Sequence, residues 1–212
     1  MMRKCLIIIL LCGIMGGIFA QNSTPRNNSF LVFLHGGYGY LPSKTKGLTS
    51  ADNSYVKKMS SGAAWNAQLY FKHKMLIVGL MYSGYTSKGK LENTSDNIFG
   101  HYIAPQIGMH IPVAKVFSIG FNGGMGGMIY RNKSEVYQNP RLVTGSAFGV
   151  NLGVRGIFNI NEHWGISAEI MSIIATLGKT NVNYHSENIL VRYFPQLSMT
   201  QLTFSLGIKY SL

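Results

Sequence analysis

The chain alternates. From Leu202 to the end (LTFSLGIKYSL), Leu202, Phe204, Leu206, Ile208, Tyr210 and Leu212 share one parity, and Thr203, Ser205, Gly207, Lys209 and Ser211 the other. Successive side chains of a β-strand point to opposite faces, so this segment predicts a strand with one apolar and one polar face. The same two-residue period recurs upstream. It predicts eight strands, at residues 29–40, 62–71, 75–85, 97–111, 116–130, 145–160, 164–176 and 200–212. The fifth sets Phe117, Ile119, Phe121 and Met125 against Ser118, Gly120, Asn122 and Gly124. The seventh sets Trp164, Ile166, Ala168 and Ile170 against Gly165, Ser167, Glu169 and Met171. In the first strand the face assigned inward carries Leu31 and Phe33, which implies either packed side chains in the interior or an inverted parity there.

The connections have their own rhythm. After even strands they are short (72–74, 112–115, 161–163), and after odd strands long and polar (41–61, 86–96, 131–144, 177–199). Beyond residue 21 no uncharged apolar run approaches the ~20 residues of a membrane helix. A membrane-spanning form of this chain must therefore be a closed barrel, because lipid cannot satisfy an open sheet edge. A soluble up-and-down barrel of the lipocalin kind would show the same period with its faces exchanged. Aromatic placement separates the two. Phe71, Phe117, Phe158, Trp164 and Tyr210 fall near the short-turn end, and Tyr38, Tyr40, Tyr82, Tyr85 and Tyr130 near the long-loop end. Two aromatic girdles a hydrocarbon band apart are a membrane feature. The expected fold is all-β: an eight-stranded antiparallel up-and-down transmembrane β-barrel, with short periplasmic turns and long extracellular loops.

Composition agrees. Only 12% of residues are charged, while glycines number 25, tyrosines 12 and phenylalanines 11, about half the usual charged share. The N-terminus carries Arg3 and Lys4, an apolar stretch from Cys5 to Phe19, and Ala20 before Gln21. This predicts a secretory signal peptide over residues 1–20, a short lead-in over 21–28 and the barrel over 29–212. Both cysteines, Cys5 and Cys12, fall within the predicted signal, so the exported chain is expected to carry no disulfide.

The Phe19-Ala20-Gln21 junction, the segment Tyr102-Ile103-Ala104-Pro105-Gln106-Ile107-Gly108 and the terminal alternation carry a resemblance. The chain resembles the small eight-stranded outer-membrane β-barrel family, similar in layout to OmpA-type and OmpX-type barrels and to the outer-membrane β-barrel domain proteins common in Bacteroidetes. The resemblance implies an outer-membrane location, insertion by the barrel-assembly machinery, and lipid and lipopolysaccharide as surroundings. Such families commonly end in an aromatic residue, whereas this chain ends in Leu212 with Tyr210 two positions earlier.

Candidate chemistry is sparse. If 161–163 closes a three-residue turn, Arg155 faces Glu169 across the sixth and seventh strands, both inward, with Lys209 inward on the eighth and close enough to join diagonally. Each buried charge needs the other. The pair reads as a structural salt bridge filling a lumen that eight strands leave only wide enough for side chains; a gate or proton relay is the alternative. The long loops hold eleven cations against five carboxylates. Lys44, Lys46, Lys57, Lys58, Lys88, Lys90, Arg131 and Lys133 are candidates for lipopolysaccharide phosphates. The high pI of 9.8 comes with no nucleic-acid module, so no nucleic-acid partner is expected. His185, Ser186 and Glu187 include hydrolase residue types, but adjacent residues rarely form a triad. The remaining histidines show no metal-ligand spacing. The expected function is non-enzymatic, structural or binding, in a monomer without cofactor or metal. A lipid A-modifying enzyme and a small solute channel are the alternatives.

Overall fold

The computed structural model describes residues 28–42, 55, 57–91, 94–137, 139–184 and 187–212. The predicted signal peptide, residues 21–27 of the lead-in, Lys44 and Lys46, and His185 and Ser186 lie outside them, while residue 28 already belongs to the first strand. The described chain forms one antiparallel sheet of nine segments. These are β1 (Asn28–Tyr40), β2 (Ser61–His73), β3 (Leu76–Leu91), β4 (Thr94–Pro112), β5 (Phe117–Val136), β6 (Asn139–Asn159), β7 (Trp164–Tyr184), β8 (Glu187–Ser198) and β9 (Gln201–Ser211). Each segment from β1 to β7 pairs with the next, β7 pairs with β9, and β9 pairs with β1, which closes a ring of eight. β8 and β9 are two parts of the eighth strand. They are separated at Met199 and Thr200, where the Met199 amide still donates to Ala175 O at 2.9 Å.

The stagger of the ring follows from its registers. A path of paired residues from Asn28 through His73, Leu76, Met109, Phe121, Val154, Ile170 and Phe204 returns to β1 at Tyr38, ten residues further along. With a rise of about 3.3 Å per residue and about 4.8 Å between strands, that shear tilts the strands by about 40° and gives a radius of about 8 Å. Side chains fill such an interior.

The two faces have opposite solvents. Outward residues are large and apolar throughout the middle of the wall: Leu152 is 66% exposed and Leu206 68%. At the short-turn end the Phe30 and Phe71 rings lie 5.3 Å apart and the Trp164 and Tyr210 rings 4.7 Å apart. At the other end Tyr38, Tyr40, Tyr82 and Trp65 face out, and the Tyr82 hydroxyl bonds His101 Nδ1 at 2.8 Å. Between Phe30 and Tyr40 the tilted wall rises about 25 Å, the height of a lipid-facing band.

Two expectations are corrected. The polar connections 86–96, 131–144 and 177–199 are largely strand: β3 and β4 leave only residues 92–93 between them, β5 and β6 only 137–138, and β7 and β8 only 185–186. Above the membrane the outer face meets water and is polar, as at Lys88, Lys90, Arg131 and Lys133, while the inward face stays buried but takes polar Ser87, Asp96, Asn132 and Ser134. The two-residue hydrophobic period therefore ends at the membrane surface while the backbone hydrogen bonds continue. Tyr85 and Tyr130, assigned to the outer girdle, instead face inward, 2% and 9% exposed. Tyr85 shares the inward parity of Met81 and Ser83 on β3, and Tyr130 that of Ser118, Asn122 and Met128 on β5, and both rings pack in the apolar cluster of the upper lumen.

Candidate functional site

The lumen is built in tiers. At the short-turn end Leu31, Phe33, Tyr70, Ile77 and Ile157 form a buried apolar cluster. The inward Leu31 and Phe33 are thus packed side chains of the interior, with the parity of the first strand as assigned. Above them lies a polar layer, and above that a cluster containing Met81, Tyr85, Tyr102, Met128, Met171 and Leu177. One turn of helix at residues 57–60 caps the long-loop end. Met59 packs against the upper cluster and its carbonyl accepts from Ser87 Oγ at 2.9 Å.

The turn after β6 sets the register that pairs Arg155 with Glu169. Their side chains meet at 3.0 Å, Nη2 to Oε1, and both are essentially without solvent. Nη2 also donates to Tyr70 OH at 3.2 Å, to Asn122 Oδ1 at 3.0 Å and to Gln68 Oε1. The guanidinium carbon lies 4.2 Å from the Phe33 ring centroid, a cation–π contact in a dry site. Room for it comes from Gly120, the register partner of Arg155, where a Cβ would stand 2.8 Å from Arg155 Cγ.

Glu169 is satisfied from the far wall. Gln68 Nε2 donates to both carboxylate oxygens at 3.0 and 2.9 Å, and Asn66 Nδ2 donates at 3.0 Å. His35 sits 3.7 Å from the same carboxylate, between Asn66 Oδ1 at 2.9 Å and Ser167 Oγ at 2.8 Å. Asn122 extends the network through Gln106 and Asn151 to the Tyr102 hydroxyl. Alternation along the chain does not single out Asn66, Gln68 and Tyr70. Three long polar side chains at successive inward positions of one strand are the signal that marks them.

Lys209 does not join this group, and its diagonal approach to the pair is corrected. It pairs with Gly165 on β7, four residues below Glu169. Four residues along a strand is about 13 Å, and its Nζ donates to Asn159 Oδ1 at 2.7 Å instead.

The loop cations divide by location. Lys57 and Lys58 are exposed on the helical turn at the mouth. Lys88, Lys90, Arg131 and Lys133 are exposed on the outer face of β3 and β5. Asn97 on β4 pairs with both Lys88 and Lys133, so these two cations stand in one row. Arg131 and Lys133 lie two and four residues above Ile129, an apolar outward residue at the top of the band, hence about 5 and 10 Å above it. Glu135 is the outward carboxylate beyond them. Lys179 and Arg192 form a further pair across β7 and β8.

A closed eight-stranded ring with a polar, packed interior and an apolar, girdled exterior defines a transmembrane barrel. The family comparison names it more closely: the chain belongs to the outer membrane protein beta-barrel domain family, whose model matches residues 9–211. It is accordingly a protein of the outer membrane. In structure the chain is similar to a major outer membrane protein from Thermus thermophilus, with 10% identity, a TM-score of 0.61, and coverage of 87% of this chain and 99% of that one. It is also similar to the Neisserial surface protein A (NspA), with 11% identity, a TM-score of 0.52, and coverage of 85% and 96%. At such identities the likeness is one of fold. Comparison with curated proteins gave no match.

Proposed function

We propose that this protein is a non-conducting, non-enzymatic barrel whose work is done by its outer surface: binding through the long extracellular hairpins, with the basic rim seated on lipopolysaccharide phosphates. The observation that carries the reading is the tiered interior. Among the described residues, apolar and polar layers, each spanned by side chains from opposite walls, leave the Arg155–Glu169 pair without solvent. β5, β6 and β7, at 20, 21 and 21 residues, run well beyond the ~10 residues a tilted strand needs to cross lipid. The surplus stands in water as a rigid ladder, an arrangement suited to contact and costly to keep without one.

In planar bilayers the purified protein is expected to give no unitary conductance. Discrete channel events that Glu169→Ala enlarges would favour the channel reading instead. For the rim, Lys88→Gln, Arg131→Gln and Lys133→Gln together are expected to reduce lipopolysaccharide binding, at about 1 kcal/mol per charge, with barrel stability unchanged. Equal retention by the triple variant and the parent would remove lipopolysaccharide from the proposal.

A further inference from the structure

The lower lumen holds a second group of charges that the ion pair does not use. Lys72 on β2, His110 on β4 and Lys209 on β9 all face inward at the short-turn end, His110 and Lys209 buried and Lys72 half-buried. His110 and Arg155 share Gly120 of β5 as register partner, and Lys72 and Lys209 flank β1 at Ser29 and Phe33, so the four basic groups face the lower lumen from four strands. Among the described residues neither lysine has an ion-pair partner. Lys209 donates to Asn159, which reaches Ser118 Oγ at 3.4 Å. Of the two buried carboxylates among the described residues, Glu169 is already held by Arg155, Gln68 and Asn66, and Asp96 lies at the long-loop end, bonded to Tyr55 and Asn132.

Arg155 supplies an independent observation. All its hydrogen bonds and its ion pair run through Nη2. Nε and Nη1 are buried without a protein partner, on a residue only 1% exposed. Nε lies 3.5 Å from where a Cβ on Gly120 would stand, and Gly120 is the register partner of His110. Buried N–H groups of a cation are costly without an acceptor. Two lysines directed into one lumen from the strands on either side of β1 repel without a counter-charge.

We propose that the periplasmic mouth of the barrel binds a small oxyanion of the phosphate class, held by Lys72, Lys209, His110 and the unused N–H groups of Arg155. These donors come from four strands, β2, β4, β6 and β9. An ion with several oxygens can accept from several of them at once, which a spherical halide does less well and a carboxylate's two oxygens do only in part. The site stands apart from the surface reading above: a silent bilayer or a failure to bind lipopolysaccharide would leave it in place.

The test uses the mature protein folded in detergent. It is titrated with sodium phosphate, and separately with sodium chloride and sodium acetate at matched ionic strength. Binding is read from the Arg155 Nε–H resonance and by calorimetry. Phosphate is expected to give a saturable shift that Lys72→Gln with Lys209→Gln weakens by about ten-fold or more, while Lys115→Gln, at an exposed cation of the turn between β4 and β5, leaves it unchanged. Heat-modifiable gel mobility confirms that each variant is folded. A non-saturating response, or one the luminal double variant does not alter, would overturn the proposal. Acetate binding as tightly as phosphate would overturn the phosphate assignment.

Discussion

Replacing Glu169 by alanine is expected to destabilise the folded barrel by about 3–5 kcal/mol, the range for removing one partner of a buried ion pair. The loss has identifiable parts. Arg155 would keep its charge at 1% exposure with no counter-ion, and Gln68 Nε2 and Asn66 Nδ2 would lose the acceptor they share. The cavity left by the carboxylate is walled by Phe33, His35 and the facing strands, which are fixed by the closed ladder and cannot collapse inward. Adding Arg155→Ala should recover part of the loss, because the orphaned charge is then gone. Denaturant unfolding of the parent, both single variants and the double variant measures the coupling. Simple additivity would show that the pair does not interact.

The second large effect is expected on the opposite face. Leu206, 68% exposed and paired with Gly36, stands between Tyr210 of the lower girdle and Tyr38 and Tyr40 of the upper one. Leu206→Arg should cost about 2–4 kcal/mol in lipid vesicles, the cost of a cation near the bilayer midplane. Lys133→Leu, a comparable exchange above the band, should change stability by less than about 0.5 kcal/mol. In a barrel surrounded by water the first substitution would be nearly neutral, since it would place a charge on an exposed strand. The vesicle unfolding curve thus reads the solvent of the outer wall directly, and a neutral Leu206→Arg would contradict a lipid-facing wall.

Much of the architecture is legible in the residues because its cause is local. Alternation follows from strand geometry, so the parity of β5, β7 and β9 can be read directly, whereas for Leu31 and Phe33 the alternation left two readings and the buried cluster they join decided between them. A three-residue turn fixes its own register, which is why the sequence alone suffices to pair Arg155 with Glu169. The same reasoning fails for Lys209, whose nearness to that pair depends on the stagger of a ring and not on one turn.

What the sequence by itself determined is therefore the number of wall strands, their faces, their short turns and one ladder contact. Each rests on interactions between residues close in the chain or directly paired. The tertiary structure alone decided three other things. It brought Gln68 and Asn66 of β2 across the lumen to Glu169 of β7. It turned Lys72, His110, Lys209 and Arg155 from four separate strands into the lower lumen. It carried the strands beyond the membrane, where water on the outer face and polar residues such as Asp96, Asn132 and Ser134 on the buried inner face erase the hydrophobic period but not the hydrogen bonds. The physical reason is closure: a ten-residue shear fixes which residues of opposite walls share a level, and no local pattern along the chain encodes it.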